Sequence, residues 1–190
     1  MTYPTKAELL DRGIKHAVRF CVANGLEVPA FEIINHNWPF GCCAYYRPGK
    51  VAIHPPLCAA VGLSGQAWSF PGWTVDRTPY GVVAHEIGCH ADYSTATKTR
   101  GKYWSNFSAE VRAQSGEAKL TNYCEKDAEW FAQIFRLFIT NPDLLRAIRP
   151  RSFELLSLYF VPVETRTWRE VLATAPERTR AQAEKVVREA

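Results

Sequence analysis

The sequence predicts an α+β fold in which a small mixed sheet with a hairpin packs on an N-terminal helix, a central helix and C-terminal helices. Apolar residues recur at helical spacing in 5–24, in 78–95 and after 123. Between the first two of these segments, short apolar runs alternate with turn residues, as the strands of a small sheet do. The chain has 190 residues, 47% of them hydrophobic and 22% charged, which predicts one globular unit with a sizeable core.

The first element is predicted to be an amphipathic helix over 5–24. Thr5 suits the N-cap position, and Glu8 three residues later completes a capping-box pattern. Gly25 follows the helical pattern, and a glycine commonly ends a helix. These signals predict both ends of the helix.

A short strand over 31–34 and a hairpin over 41–54 are predicted next. The hairpin consists of two apolar runs separated by Arg-Pro-Gly-Lys at 47–50, which is a typical turn sequence. Its second strand, 51–54, is a candidate sheet edge to which an extended peptide can add as a further strand.

The segment 64–79 contains several Gly, Pro and Trp residues without a clear period, which predicts a loop. A helix over 78–95 follows, with Pro79 as a favourable first residue. The polar and basic segment 97–120 is predicted to be an insertion without regular structure. The large aromatic residues of the loop either line a binding cleft or cover the edge of the core; they are Trp68, Phe70 and Trp73.

Two further helices are predicted over 123–139 and 142–160, separated by an Asn-Pro pair. The remaining segment, 164–190, mixes charges at helical spacing and is predicted to form one or two exposed helices. We therefore expect a domain over 1–163 and a charged C-terminal helical tail over 164–190. The tail has no catalytic assignment, and we expect it to be the surface on which a protein partner or a larger assembly binds.

The charge and cysteine content of the chain bear on its cellular compartment but do not identify a binding partner. The formal net charge is +4, but the basic residues are scattered, so a nucleic-acid partner is not predicted. The first twenty residues contain no apolar signal core, and no stretch approaches the roughly 20 apolar residues of a membrane helix. These observations predict a protein without a membrane segment, either cytoplasmic or incorporated in a virus particle, whose six cysteines are reduced.

The central helix carries His-Glu-Ile-Gly-Cys-His at 85–90. Zinc peptidase helices normally read H-E-x-x-H, because histidines four residues apart face one metal and the Glu beside them acts as general base. Here the second histidine is five residues on, an offset of about 140° in a regular helix. Either a π-bulge at Gly88 brings His90 to a metal shared with His85, or Cys89 at the regular offset is the ligand. We favour His90, because catalytic zinc sites use His more often than Cys.

The third protein ligand is expected on the helix over 123–139. Glu129 directly precedes the apolar residues of this helix and is the leading candidate. Glu125, four residues earlier on the same face, can hydrogen-bond to a ligand histidine and so orient it. Asp127 is the remaining acidic candidate. His36 and His54 are predicted to be structural, because an isolated histidine more often forms a hydrogen bond than binds a metal.

These motifs resemble a known family. The string HEIGCHADYS, followed 39 residues after His90 by Glu129 in DAEWFAQIFRLFITNPDLL, is similar to the peptidase domain of anthrax-toxin lethal factor and related zincin-like proteins. The resemblance covers about 78–160 and departs from the family at Cys89, which is an extra residue. The H-E-x-x-x-H spacing is similar to that of dipeptidyl peptidase III, a gluzincin whose third ligand is a Glu in an E-x-x-x-E segment, as Glu125 and Glu129 are here.

The resemblance implies a minimal zincin-like fold with one zinc ion. It implies that His85, His90 and Glu129 are the ligands of that ion. It also implies that Glu86 is the general base and that a tyrosine donates a hydrogen bond to the oxyanion. Tyr123 is the candidate for this tyrosine, although it lies one residue out of the family's register, and Tyr93 and Tyr103 are the alternatives.

We therefore predict a zinc-dependent metallopeptidase, a hydrolase that cleaves peptide bonds of a polypeptide substrate with Glu86 as general base. The alternative is a structural or assembly protein, such as a virion component, that retains a zincin fold and its metal without proteolysis. The irregular spacing of the two histidines motivates the alternative.

Overall fold

The chain is α+β, as predicted. A computed structural model describes residues 4–36, 38–59, 76–100, 107–121, 125–175 and 177–190. These residues form eight α-helices and one three-stranded sheet, and α2 packs on the sheet. The helices are α1 (Lys6–Ala23), α2 (Pro79–Arg100), α3 (Phe107–Ser115), α4 (Asp127–Thr140), α5 (Pro142–Ile148), α6 (Pro150–Ser157), α7 (Trp168–Val171) and α8 (Glu177–Glu189). The strands are β1 (Ala30–Ile33), β2 (Ala44–Arg47) and β3 (Lys50–Ile53), and a 3-10 turn covers Pro55–Leu57.

Helix α1 has the ends that its sequence predicts. The hydroxyl of Thr5 accepts the N–H of Glu8 at 3.2 Å, and the carboxylate of Glu8 accepts the N–H of Thr5 at 2.6 Å. Gly25 follows with a φ of +60°, which glycine adopts without strain. On the buried face of α1, the ring of Phe20 contacts the rings of Phe135, Phe138 and Phe160.

The sheet has the order β1-β3-β2, with β1 parallel and β2 antiparallel to β3. The predicted hairpin is confirmed, and Gly49 in its turn has a φ of +76°. The prediction that 51–54 forms a sheet edge is wrong, because β3 is the central strand and Val51, Ala52 and Ile53 are fully buried. The two edges of the sheet are β1 and β2.

Helices α2 and α4 are in close backbone contact at Gly88. A Cβ atom on Gly88 would lie 2.9 Å from the Cα atom of Ala132 and 3.1 Å from the Cβ atom of Phe135, so this contact requires a glycine. The predicted π-bulge at Gly88 is wrong, because α2 is a regular α-helix over its whole length. The glycine therefore permits close helix packing rather than a looser turn.

The C-terminal half contains more helices than predicted. Helix α3 lies inside 97–120, where we expected no regular structure, and α2 itself extends into that segment. The predicted helix over 142–160 is two helices, because Pro150 cannot continue α5 and instead begins α6.

The tail forms the predicted helices α7 and α8, but they are not simply exposed. Trp168, Leu172 and Ala183 are buried and belong to the core. Outside the described residues lie several residues of the sequence-based predictions, namely Trp68, Phe70, Trp73, Tyr103 and Tyr123.

The first helix and the segment after α6 are joined directly. The side chain of Asn24 donates to the carbonyl of Val161 at 3.0 Å and accepts its N–H at 2.6 Å. Within the described part of the chain, no helix is both long and apolar enough to cross a membrane. The cytoplasmic location stays a prediction.

Candidate metal centre

The structure brings together His85 of α2 and Glu129 of α4, two of the three predicted ligands. His85 Nε2 lies 3.3 Å from Glu129 Oε2. This oxygen is buried and has no hydrogen-bond partner within the described residues, so the two atoms are close without being aligned for a hydrogen bond. Two donors that each lie about 2.1 Å from a tetrahedral zinc ion are about 3.4 Å apart. The pair therefore has the separation of two ligands of one metal.

The other ring nitrogen of His85 is held by a residue that the sequence analysis did not identify. Gln133 Nε2 lies 3.0 Å from His85 Nδ1, and Gln133 Oε1 accepts the Nε–H of Arg136 at 3.0 Å. Because a guanidinium group only donates, Arg136 orients the Gln133 amide so that its NH₂ group faces His85. His85 Nδ1 is then an acceptor, which leaves Nε2 as the ring nitrogen that carries a proton.

Arg136 of α4 is fully buried. The buried acid Asp76, which precedes α2, lies close to its guanidinium group. Asp76 Oδ2 is 3.9 Å from Arg136 Nη1, and Asp76 Oδ1 accepts the N–H and the hydroxyl of Thr78 at the start of α2. Burial raises the pKa of Asp76, and the charge of Arg136 opposes that shift. A buried polar chain thus connects the first turn of α2 with His85 through Arg136 and Gln133. The sequence signal for this polar chain was the presence of two polar residues, Gln133 and Arg136, on the otherwise apolar face of α4.

Glu86, the predicted general base, is buried beside this pair. Burial raises its pKa, and the neighbouring Glu129 carboxylate raises it further, whereas His85 and the N–H of Tyr46 lower it. Tyr46 lies on the edge strand β2, so its backbone connects the sheet with the candidate centre. A carboxylate with a raised pKa is a stronger base, which suits proton abstraction near neutral pH.

His90, the third predicted ligand, is not brought to His85. Its Nε2 lies 2.7 Å from the carbonyl oxygen of Glu27, and its Nδ1 lies 3.2 Å from the hydroxyl of Tyr46. Because α2 has no bulge, the offset of five residues directs His90 towards the sheet and the segment after α1. His90 therefore helps to fix α2 against these elements.

Cys89 lies on the side of α2 that faces the pair, as its offset of four residues from His85 requires. Burial raises the pKa of its thiol well above the ordinary value, and the carboxylates of Glu86 and Glu129 add to this shift. The thiol is thus within electrostatic range of both acidic residues of the centre.

The remaining predicted residues lie apart from the centre. Glu125 is exposed, so the group that contacts His85 Nδ1 is Gln133 and not this acid. Asp127 forms an ion pair with Arg112 at 2.8 Å. His54 Nδ1–H donates to the carbonyl of Ile34 at 2.6 Å, as expected of a structural histidine. Tyr123 lies outside the described residues.

Comparisons with known proteins do not identify a relative from which the role of this site could be transferred. No family model, no curated protein and no solved structure matches the chain.

The separation of two candidate ligands fits a metal, a third ligand is not in place, and the NH₂ group of Gln133 favours the His85 tautomer that has its proton on Nε2. His85 and Glu129 offer an imidazole nitrogen and a carboxylate oxygen, which zinc binds readily, and the buried oxygen of Glu129 has no other partner among the described residues. Across the same part of the chain, no three side chains of His, Cys, Asp or Glu are grouped so that they could hold an ion.

Proposed function

We propose that the chain is a zincin-like, zinc-dependent metallopeptidase in which His85 and Glu129 are metal ligands and Glu86 is the general base. The observation that carries this proposal is the approach of His85 Nε2 to the buried, unsatisfied Glu129 Oε2 at 3.3 Å. A catalytic zinc site needs three protein ligands and one open position. For the third ligand we propose Cys89, because α2 is regular and an offset of four residues keeps a side chain on the face of His85. The described residues hold no ready group of three ligands, so the Cys89 thiol has to move towards the pair when the ion binds.

The chain's own groups have distinct roles in the proposed reaction. When bound, zinc supplies a polarising charge that acidifies water and activates a carbonyl group. Glu86 accepts the proton of the attacking water and transfers it to the leaving amine. The N–H of Tyr46 donates to the Glu86 carboxylate and so keeps it oriented. Strand β2, which carries Tyr46, is an edge strand of the sheet formed by the described residues and lies beside α2, a position that suits an extended polypeptide substrate.

Metal analysis of the purified protein tests the ligands. We expect one zinc ion per chain and loss of that ion in His85→Ala and Glu129→Ala. Glu125→Ala is the matched control, since Glu125 lies four residues before Glu129, ahead of the start of α4, and is exposed. Equal zinc content in the wild type and in the His85→Ala, Glu129→Ala double variant would refute the site.

A pair of further variants distinguishes the two candidates for the third ligand. We expect Cys89→Ser to lose zinc and His90→Gln to retain it, because the nitrogens of His90 bond to Glu27 and Tyr46. The opposite result would assign the ligand to His90.

Proteolysis is tested separately from metal binding. We expect the wild type to cleave casein or a peptide library, and Glu86→Gln to retain zinc but lose turnover. Loss of turnover without loss of metal assigns Glu86 to the chemical step.

A second function is favoured by the position of His90, whose two nitrogens stabilise the fold instead of facing His85. In this alternative the chain is a structural or assembly protein, for example a virion component, that retains the fold and its metal without proteolysis. Its charged helices α7 and α8 would then contact the partner. The alternative is supported if wild type and Glu86→Gln are equally inert and the protein co-purifies in a large assembly.

A further inference from the structure

Two buried cysteines that the proposed metal centre does not use lie against each other beside the sheet. Cys43 immediately precedes β2, and Cys58 immediately follows the 3-10 turn that comes after β3. The Cys43 thiol donates to the carbonyl of Leu57 at 3.2 Å and the Cys58 thiol to the carbonyl of His54 at 3.7 Å, so both sulfurs lie at the same short turn. The N–H of His54 donates to the carbonyl of Cys43 at 2.8 Å, which joins the two segments at the backbone level.

Basic residues surround this pair. Lys6 donates to the carbonyls of Pro55 and Pro56 at 3.2 and 3.3 Å, so its charge lies over the turn that carries Cys58. Arg77 forms a side-chain hydrogen bond with Cys43, and its backbone carbonyl accepts the N–H of Ala59 at 2.8 Å. Cysteines next to cationic groups are the ones that react as thiolates.

The two thiols differ in acidity, as an attacking and a resolving thiol do. The neighbouring Cys58 thiol and the charge of Arg77 lower the pKa of Cys43 to about 6, against the opposing effect of burial. The neighbouring Cys43 sulfur and burial raise the pKa of Cys58. Cys43 is therefore the more acidic of the two thiols and the one that attacks after it loses its proton to the solvent.

Access to the pair requires only a local opening. Both cysteines are buried, whereas Leu57, in the turn Pro55–Leu57 beside them, is 46% exposed. Short exposed turns open locally at low cost compared with unfolding of the core.

We propose that Cys43 and Cys58 form a redox-active dithiol that exchanges with low-molecular-weight disulfides such as oxidised glutathione. The thiolate of Cys43 attacks one sulfur of oxidised glutathione, whose S–S bond breaks and releases one glutathione thiolate. Cys58 then loses its proton and attacks the Cys43 sulfur of the mixed disulfide, and a second glutathione thiolate leaves. The two protein thiols are oxidised to one disulfide, and one molecule of oxidised glutathione is reduced to two thiols that take up the two protons.

The resulting cross-link would tie the start of β2 to the segment after β3. Tyr46, three residues after Cys43, donates its N–H to Glu86, so the cross-link forms beside the strand that orients this carboxylate. The exchange reaction itself requires neither zinc nor peptidase activity.

Peptide mapping of the oxidised protein tests the proposal. The folded wild type is incubated with oxidised glutathione at neutral pH, quenched with an alkylating reagent and digested without reductant. We expect a disulfide between Cys43 and Cys58. We expect Cys58→Ser to stop at a mixed disulfide of Cys43 with glutathione, and Cys43→Ser to form no cross-link. Cys21→Ser is the matched control, because Cys21 is fully buried elsewhere in the core and should leave the cross-link unchanged.

A measurement on the wild type alone covers the case in which a variant does not fold. With limiting iodoacetamide, we expect Cys43 to be alkylated before Cys42, although Cys42 is the exposed one of the two. Alkylation or glutathionylation of Cys42 alone, or a protein that keeps both Cys43 and Cys58 as thiols after prolonged incubation, would overturn the proposal.

Discussion

Replacing Gln133 with glutamate should raise the affinity of the chain for zinc, although it introduces a charge into the core. In the wild type, Arg136 holds Gln133 so that its NH₂ group faces His85 Nδ1, which leaves the proton of the ring on Nε2. Zinc requires Nε2 without a proton and therefore Nδ1–H as a donor. A glutamate can accept from Arg136 and from Nδ1–H at the same time, so it removes this conflict.

The magnitude follows from the effect of groups that contact a ligand without touching the metal. Such groups change metal affinity by about 10- to 100-fold, which corresponds to about 1.4–2.8 kcal/mol. Gln133 is fully buried and 3.0 Å from both of its partners, so we expect a tightening within this range. Arg136 compensates the new charge, since its Nε–H already donates to the side chain at this position.

Competition with a chromophoric chelator measures the dissociation constant of zinc for the wild type and the variant. Gln114→Glu is the matched control, because Gln114 is exposed on α3 and the substitution changes the net charge equally. A thermal melt confirms that each variant is folded. If folded Gln133→Glu binds zinc as weakly as the wild type, or more weakly, the assignment of His85 Nε2 as a ligand is refuted.

Three further changes test the packing, the electrostatics and the capping of the fold. Gly88→Ala should reduce the free energy of unfolding by about 1–3 kcal/mol, because the new methyl group would overlap the backbone of Ala132, whereas Gly41→Ala should have little effect. Burial lowers the pKa of His16 from 6.5 to about 4, so the unfolded chain takes up a proton first as the pH falls. The wild type should then lose about 3 kcal/mol between pH 7 and pH 4 that His16→Asn does not lose, measured by urea denaturation. Thr5→Ala should cost about 1 kcal/mol by removing the N-cap of α1.

Each of these expectations has a contradicting outcome. Equal melting temperatures for Gly88→Ala and Gly41→Ala would contradict the close crossing of α2 and α4. Parallel stability curves of wild type and His16→Asn between pH 7 and pH 4 would contradict a buried, neutral His16. An unchanged urea midpoint in Thr5→Ala would show that α1 does not depend on its capping box.

The elements that could be predicted from the sequence are those specified by neighbouring residues. Thr5, Glu8 and Gly25 set the ends of α1 through contacts within a few residues. The Pro-Gly turn likewise set the hairpin. Pro150 was an equally local signal, and it divides 142–160 into two helices, so that error came from the interpretation and not from missing information.

The features that escaped prediction depend on distant parts of the chain. Gly88 is a poor helix former in isolation, and only the nearby backbone of Ala132 explains why α2 contains it. The central position of β3 depends on its parallel pairing with β1, which no turn sequence encodes. Half of the candidate centre was predictable, because Glu129 was chosen from its place on an apolar helix face, while the Gln133 contact to His85 depends on how two helices are rotated about their axes.

The contacts of α1 affect how the chain can fold during its synthesis. The ring of Phe20 packs on the rings of Phe135, Phe138 and Phe160, and Asn24 bonds to Val161. All of these partners leave the ribosome more than a hundred residues after α1 does. Helix α2 covers α1 around Gly13 earlier, but the Phe20 end of α1 is among the last surfaces to be covered. A nascent chain of this protein exposes that end for most of its translation, so a chaperone that holds apolar nascent segments has its longest opportunity to bind there.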